Sequence, residues 1–332
     1  MDAVKTRRDA GAALRRRRMP GGGRRQLAFL TMLLPGVAFL ICFSYLPMPG
    51  IVMAFKNYKL AIPPKDFWLQ NRFLYSVYVA NPWVGLNNFK FLIATPMAKI
   101  IARNTVGYNL LFMVTGLFLS VGLAVVIHEL RNRRTAKTYH TIIFMPYFIS
   151  WIVCAYVLYA LISARGIFNA MAAAMGSPSI NYYTKTQYWP FIFLIANIWK
   201  YTGNGSIIYM ATITGFDQDL YEAAAIDGAG KWRQFWRITL PLLMPTIVLL
   251  QILAVGRIFN GDFDMFYSLP NGSGMLNSVT NTIDVYVYNT MKNGQQMGYA
   301  AAAAFFQSTV GFILILTTNI IVRRIQPDMS LF

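Results

Sequence analysis

The sequence predicts an all-α polytopic membrane protein with six transmembrane helices, and two observations carry that prediction. Hydrophobic residues make up 56% of the 332 residues and charged residues only 13%, whereas ordinary soluble domains contain about 25% charged residues. A surface bounded by water would need more charge, so the chain belongs in a bilayer. Six apolar segments are also long enough to cross the hydrocarbon, which takes about 20 helical residues. We place these spans at residues 27–46, 104–127, 141–163, 189–212, 240–267 and 299–322.

The first 26 residues form a basic tail that we expect to be disordered and cytoplasmic. Nine of them are Lys or Arg, and three consecutive glycines at 21–23 add flexibility. The apolar run at residues 27–46 has no small-residue cleavage pattern after it, so it reads as a first span rather than a signal peptide. Pro47 and Pro49 end that span on the far side. The mixed, aromatic residues 56–103 then form an external loop in which we expect short helices.

The distribution of Lys and Arg predicts that both termini lie in the cytoplasm. Eighteen of the 30 basic residues fall in the tail, the second-to-third connection, residues 212–237 and the C-terminal end, whereas the short external loops hold only Arg165, Lys185 and Lys292. Basic residues in short loops mark the cytoplasmic side. The net charge of +18 is thus explained by membrane orientation, and no nucleic-acid partner is expected.

Residues 213–239 form a polar cytoplasmic loop between the fourth and fifth spans. The pattern predicts a short helix, a glycine turn and a second helix. Asp219 suits a helix N-terminus, small alanine side chains allow another backbone to approach, and Gly228 can end the helix. Three aromatic residues share one face of the second helix by i, i+3, i+4 spacing: Trp232, Phe235 and Trp236. A charged helix with a small-residue face, projecting from a bundle, is an attachment point for another protein.

This loop resembles the EAA motif of the membrane subunits of binding-protein-dependent ABC importers. The match comprises Glu222-Ala223-Ala224, Gly228 after three further residues, Ile238 after nine more, and Leu240-Pro241. The segments YEAAAIDG (221–228), LPMPGIVMAFKNYK (46–59) and WVGLNNF (83–89) further resemble the carbohydrate-uptake permeases. The resemblance is to the branch that imports oligo- and polysaccharides, including importers of the alginate kind, and it covers nearly the whole chain after residue 26.

The resemblance implies the architecture of a type I ABC importer. In that family, the helix around Glu222 is a coupling helix that lies in a groove of an ATPase subunit. The expected partners are a second and distinct permease chain, two ATPase subunits that bind ATP and Mg, and an extracytoplasmic solute-binding protein. The expected location is the bacterial cytoplasmic membrane, in contact with lipid. The expected ATPase-coupling residues are Glu222, Ala223, Ala224, Asp227, Gly228, Ile238, Leu240 and Pro241. A capping box between Asp219 and Glu222 is an alternative role for Glu222 that needs no partner.

No enzymatic centre, bound cofactor or metal site is expected in this chain. The segment 228–231 (GAGK) lacks the earlier glycine and the following Ser or Thr of a phosphate-binding loop. His128 and His140 have no paired carboxylates for metal binding or acid–base catalysis. Cys42 and Cys154 fall in apolar runs, so neither a disulfide nor a metal site is indicated.

Polar side chains inside the spans predict the substrate pathway, because such groups are costly in lipid. The candidates are Asn197, Lys200, Tyr201 and Asn204 on the fourth span, and Arg257, Asn260 and Asp264 at i, i+3, i+7 on one face of the fifth. Alternatively, Arg257 pairs with Asp262 or Asp264, and Lys200 snorkels or pairs with the second permease. A cation left unpaired in the pathway would favour an anionic sugar such as a uronate oligosaccharide.

Two other classes of function were weighed on the same residues. A secondary transporter of sugars or other polar solutes would show inverted repeats with broken helices, and would have no use for a cytoplasmic docking helix. A membrane-embedded glycosyl-processing enzyme would need paired carboxylates, but Asp262 and Asp264 at i, i+2 do not face each other on a helix.

Overall fold

The computed structural model describes residues 22–46, 48–65, 67, 70–130, 132–292 and 297–331. Apart from residues 22–26, the predicted basic tail lies outside the described residues. The first helix, α1, spans Gly22–Leu40 and continues as a π-helical turn at Ile41–Tyr45. It therefore begins before residue 27, because Arg and Gln are good helix formers and continue the helix beyond its apolar part. The chain divides into two compact units, Met1–Val52 and Met53–Phe332.

The predicted external loop contains the short helical segments that the sequence indicated. They are Arg72–Tyr75, Ser76–Ala80, Gly85–Phe89 and Lys90–Ile93, and a further 3₁₀ helix at Met48–Phe55 precedes the loop. Within the second unit, buried Lys56 donates from Nζ to the Tyr78 carbonyl at 3.1 Å and lies over the Trp83 ring. The Asn88 amide donates to the carbonyl oxygens of Ala54 and Lys56 at 2.9 and 2.8 Å. Polar side chains thus fold this segment by satisfying its irregular backbone.

Two long helices, α2 (Pro96–His128) and α6 (Trp189–Thr214), pack along each other in the second unit. The helix α2 starts before residue 104 because Thr95 caps it, with Oγ1 accepting from the Ala98 amide at 3.1 Å, and Pro96 suits a first helical position. The helix α6 starts at residue 189, as predicted. An aromatic cluster that includes Tyr108, Trp189, Phe193 and Phe266 forms the largest part of the core around them.

The predicted third span at residues 141–163 is wrong as a single helix. The chain forms α3 (Arg133–Phe144), a 3₁₀ turn at Met145–Phe148, α4 (Trp151–Ile162) and α5 (Ile167–Ala174). Pro146 has no amide hydrogen to donate, and Ile149 and Ser150 are extended. Ser150 then caps α4 by accepting from the Val153 amide at 3.4 Å.

The predicted fifth span at residues 240–267 is also broken. Within it, α8 (Lys231–Val255, with a π-helical turn at Phe235–Thr239) ends well before α9 (Phe263–Ser268) begins. Further helices are α7 (Asp219–Ile226), which precedes α8, and α10 (Ile283–Lys292) and α11 (Met297–Ile325), which follow α9. The helix α8 ends where Gly256 meets Gly311 of α11, so closely that a Cβ on Gly311 would overlap the Gly256 carbonyl oxygen. This backbone contact explains glycine at position 311, whereas a Cβ on Gly256 would overlap the Ile315 side chain.

Five helical segments in the described part of the chain are long and apolar enough to cross a membrane. They are Phe29–Phe55, Pro96–His128, Trp151–Ala174, Lys231–Val255 and Met297–Ile325. The remaining predicted span, α6, has 26 residues and a length of about 39 Å, but Asn197, Lys200 and Asn204 make it less apolar. The described chain is an all-α polytopic membrane protein, as the composition predicted.

Candidate functional site

A cavity of about 550 Å³, here named the first cavity, lies between α2, α6 and the end of α8. Five of the seven predicted pathway residues line it: Asn197, Tyr201, Asn204, Arg257 and Asn260. Lys200 and Asp264 do not. These five residues bring amides, a phenol and a guanidinium to the cavity, and Tyr209 adds a second phenol. All of these groups hydrogen-bond to hydroxyls or carboxylates.

Sequence reasoning missed several polar residues that line the same cavity. They are Asn109 and Ser120 from α2, Thr202 from α6, Gln251 from α8, and Asp262. The hydroxyl of Thr202 is buried and has no hydrogen-bond partner within the described residues. Asn109, Ser120 and Gln251 lie in apolar stretches, so the rule that marked Asn197 and Asn204 would have found them too.

The first cavity is bounded by a non-helical segment at residues 256–262, between α8 and α9. Asn109 of α2 donates from Nδ2 to the carbonyls of Ile258 and Asn260 at 2.9 and 3.0 Å. Gln307 of α11 donates to the Phe259 carbonyl at 2.7 Å. Side chains from two helices thus replace the backbone hydrogen bonds that the break removes, as irregular backbone at membrane depth requires.

The break overturns the prediction that Arg257, Asn260 and Asp264 share one helical face. Arg257 and Asn260 line the first cavity from the non-helical segment. Asp264 belongs to α9, is exposed and does not line this cavity. Within the described residues, no ion pair joins Arg257 to Asp262 or to Asp264. The guanidinium therefore enters the cavity without a carboxylate partner from this segment.

Asp262 joins three elements at the wall of the first cavity. Its Oδ2 accepts from the indole Nε1 of Trp151 at 2.9 Å and from the hydroxyl of Tyr201 at 2.7 Å. Its Oδ1 accepts from the Met265 amide at 3.2 Å and so caps α9. The carboxylate therefore fixes α9 against the first residue of α4 and the middle of α6.

Lys200 has a structural position next to this cluster. Its buried Nζ donates to the carbonyl of Tyr147 at 3.2 Å and to the carbonyl of Ile149, and it lies over the Trp151 ring at 5.1 Å. These carbonyls belong to the break between α3 and α4. Lys200 therefore satisfies backbone acceptors within this chain, rather than facing the first cavity or snorkelling to a membrane surface.

The polar loop at residues 213–239, here named the docking loop, forms two helices joined by a turn at Gly228. The helix α7 ends in a Schellman motif, in which the Ala229 amide donates to the Ala224 carbonyl at 2.9 Å and the Gly228 amide to the Ala225 carbonyl at 3.0 Å. Gly228 has a φ of 77°, a conformation that costs a residue with a Cβ roughly 1–2 kcal/mol. The glycine is required by this turn.

The docking loop presents a mixed polar and apolar surface. Glu222, Ala223 and Asp227 are exposed, and so are Ile226 at 87% and Trp232 at 74% of their areas. The capping box considered for Asp219 and Glu222 is not formed, since Gln218 stands at the N-cap and the Asp219 amide donates to Asp217. The other motif residues are Ala224, Ile238 and Leu240, which are half-buried, and Pro241, which is exposed.

Two contacts hold the docking loop in place. The Tyr221 hydroxyl lies 3.0 Å from the Thr239 hydroxyl, which ties α7 to the π-helical turn of α8. Lys231 pairs with Glu129, the residue that ends α2, at 2.7 Å. The loop is thus connected both to α8 and to the end of α2.

A second cavity of about 940 Å³ lies between α4, α9 and α10. It is at the opposite end of α2 from the docking loop. Asn104, near the start of α2, donates to the carbonyls of Ser278 and Asn281 at 3.1 Å, and the neighbouring Asn277 lines this cavity. Residues 104 and 129 are separated by about 37 Å of helix. Asp262 lines the first cavity and Phe266 the second, so α9 lies between them.

Comparison with known proteins gives consistent matches. Residues 116–327 match the family described as the binding-protein-dependent transport system inner membrane component. The chain is 30% identical to protein LplB of Bacillus subtilis over 298 residues, which cover 90% of this chain and 89% of LplB. It is 31% identical to the polygalacturonan/rhamnogalacturonan transport system permease protein YteP of Bacillus subtilis, over 90% of this chain and 88% of YteP.

A solved structure matches the fold over nearly the same range. A chain of a bacterial ABC transporter involved in the import of the acidic polysaccharide alginate superposes with a TM-score of 0.77 and 29% identity, covering 91% of this chain and 97% of that chain. The family match spans well over half of the sequence, and it includes the docking loop and most of the lining of the first cavity. The chain therefore belongs to the binding-protein-dependent transport system inner membrane components.

Proposed function

We propose that this chain forms half of the translocation pathway of an ATP-driven importer for an oligo- or polysaccharide. The observation that carries the proposal is the lining of the first cavity, where asparagine and glutamine amides surround Tyr201 and Arg257. Amides both donate to and accept from sugar hydroxyls, and an aromatic ring offers an apolar face to sugar carbons. The similar YteP is named for polygalacturonan and rhamnogalacturonan transport, which supports a saccharide substrate.

An anionic saccharide is the preferred substrate class. Arg257 is the cation among the residues that line the first cavity. The lining carboxylate, Asp262, already accepts three hydrogen bonds from Trp151, Tyr201 and the Met265 amide. Arg257 therefore remains available for a substrate carboxylate, which a guanidinium binds through two parallel hydrogen bonds. The similar transporter of the acidic polysaccharide alginate supports this choice.

The energy for import comes from partner chains. The proposed assembly contains a second, distinct permease, two ATPase subunits carrying ATP and Mg, and an extracytoplasmic solute-binding protein, in a bacterial cytoplasmic membrane with both termini of this chain inside. The docking loop would contact the ATPase through the exposed Glu222, Ala223 and Ile226. The similar alginate transporter forms a complex with a pentasaccharide-bound periplasmic protein. Membership of this family disfavours a secondary transporter.

Transport assays test the substrate class. When this chain is reconstituted in proteoliposomes with its partner subunits, the ATPase subunits should hydrolyse ATP faster if the binding protein is loaded with a uronate oligosaccharide. Arg257→Gln should reduce the uronate response while leaving the response to a neutral oligosaccharide of equal length. Stimulation by neutral sugars alone, or an unchanged uronate response in the variant, would contradict the anionic class.

Co-purification tests the docking role. Glu222→Lys places a cation on the exposed face of α7, and Gly228→Asp disturbs the turn that ends it. Both variants should lose the ATPase subunits during purification, whereas Lys137→Gln, on the exposed face of α3, should keep them. A tight ATPase complex in both docking-loop variants would count against the importer assignment.

A further inference from the structure

The second cavity carries polar groups that lipid cannot solvate. Asn271, Asn277 and Asn289 line it together with Lys292, the basic residue in the last turn of α10. Amides and an ammonium are costly against hydrocarbon, so this cavity is suited to water or a polar ligand rather than to lipid. Its volume of about 940 Å³ lies at the upper end of the usual range for ligand sites. No Asp or Glu is among the described residues of its lining.

Aromatic side chains, together with Ile152, form the opposite wall of the second cavity. Ile152, Tyr156 and Tyr159 of α4 line it with i, i+4, i+7 spacing, which places them on one helical face. Tyr267 of α9 lines it as well, and its ring is held by Phe263 and Tyr288 at centroid distances of 5.2 and 4.9 Å. Exposed yet positioned aromatic rings facing amides form an arrangement that suits a sugar, which has an apolar face and a polar edge.

The loop that closes the second cavity is ordered by its own backbone. Asn271 and Gly272 have φ values of 50° and 70°, and the Ser273 amide donates to the Pro270 carbonyl at 3.1 Å. Positive φ at both central residues defines a tight type I′ turn. The Ser273 hydroxyl donates to the Tyr183 carbonyl at 2.8 Å, which fixes the turn to the connection before α6. The Asn271 amide is therefore presented on a fixed turn.

We propose that the second cavity is a saccharide-binding site distinct from the first cavity, with Tyr156 as a stacking platform and Lys292 as the partner of a sugar carboxylate. The proposal rests on the proposed function, since a saccharide is the cargo. In the proposed orientation this cavity opens on the extracytoplasmic side, because it lies at the end of α2 opposite the docking loop. Because α9 lies between the two cavities, a saccharide bound in the second cavity must pass α9 to reach the first cavity.

Direct binding to the assembled transporter, without the solute-binding protein, tests the site. The probes are a mannuronate trisaccharide and a neutral mannose trisaccharide. Their binding is measured by saturation-transfer NMR in detergent. Wild-type transporter should bind both and prefer the uronate. Lys292→Gln should weaken uronate binding about tenfold, as loss of a charged hydrogen-bond partner does, and leave the neutral sugar unaffected. Tyr156→Ala should weaken both.

Matched variants separate this site from the first cavity and from general damage. Tyr156 is 73% exposed and Tyr139 of α3 is 52% exposed, so Tyr139→Ala and Lys137→Gln serve as controls and should bind like wild type. Since Arg257 lines only the first cavity, Lys292→Gln should weaken uronate binding by the same factor in an Arg257→Gln background. The proposal is overturned if wild type binds neither sugar, if either second-cavity variant binds like wild type, or if a control loses binding equally. Saccharide-stimulated transport that persists in that event leaves the proposed function standing.

Discussion

Trp151 donates its indole hydrogen to Oδ2 of Asp262 across 2.9 Å, and this bond joins the first residue of α4 to the residue that caps α9. Both elements follow a break in a predicted span. The Tyr201 hydroxyl donates to the same oxygen at 2.7 Å. A single carboxylate thus holds together three elements at the wall that separates the two cavities.

Removing that carboxylate should destabilise the fold. Asp262→Ala leaves the buried Trp151 indole and the Tyr201 hydroxyl without their acceptor, which costs roughly 1–3 kcal/mol of unfolding free energy. The measurement is the apparent melting temperature of the purified chain in detergent. Asp264→Ala is the matched control, because Asp264 is exposed and surface substitutions usually change stability by less than about 0.5 kcal/mol. Equal melting temperatures for the two variants would refute the role given to Asp262.

The two glycines of the docking loop should respond differently to alanine. Gly228 has a φ of 77°, where a Cβ is strained, whereas Gly230 has a φ of −67° and open space around it. Gly228→Ala should therefore alter the turn after α7 and reduce the amount of ATPase that co-purifies with the chain, and Gly230→Ala should not. A similar loss in both variants would show that the turn conformation is not what matters.

The contact between Gly256 and Gly311 should tolerate no side chain. Gly311→Ala brings a Cβ onto the Gly256 carbonyl oxygen, so α8 and α11 must separate, and overpacking of this kind costs about 1–3 kcal/mol. The expected result is a lower melting temperature together with reduced transport. Gly122→Ala is the control, since a Cβ on Gly122 meets no atom within 4 Å and Gly122 does not line the first cavity. A wild-type melting temperature for Gly311→Ala would contradict the close approach.

Substitutions of Lys200 and Arg257 should have different effects, the first on stability and the second on substrate selectivity. Lys200→Gln removes the cation that serves the Tyr147 and Ile149 carbonyls, which should cost about 1–3 kcal/mol without changing the ratio of uronate to neutral sugar transport. Arg257→Gln should change that ratio and leave the melting temperature nearly constant, because Arg257 is exposed to the first cavity. The opposite assignment of effects would show that Lys200 contacts the substrate.

The sequence predicted the membrane class and the helix–turn–helix conformation of the docking loop well because both depend on local information. Composition and apolar length define spans, and glycine and alanine spacing defines the turn after α7. The breaks at residues 145–150 and 256–262 were missed, because their stability depends on distant side chains. Asn109, Gln307 and Lys200 supply hydrogen bonds to these segments from other helices, and spacing along one chain does not show which carbonyls they reach.

The same limit explains the errors at the candidate site. A continuous fifth helix would have placed Asp264 on the same face as Arg257. The helix is broken between them, and Asp264 belongs to the separate helix α9. Lys200 was singled out as a charged residue inside a predicted span, but its partners are the carbonyls of Tyr147 and Ile149, and spacing in the sequence does not reveal backbone partners. Asp262 was considered only as an ion-pair partner, although its neighbours in space are Trp151 and Tyr201.

The ion pair between Lys231 and Glu129 connects the first residue of α8 to the C-terminal end of α2. Both side chains are partly exposed, so the pair adds at most about 1 kcal/mol to stability. The helix α2 runs without a break for 33 residues, or about 50 Å. At its other end Asn104 is bonded to the carbonyls of Ser278 and Asn281 beside the second cavity. A tilt imposed at the docking loop would therefore reach the second cavity as one rigid rotation, without passing through either broken span.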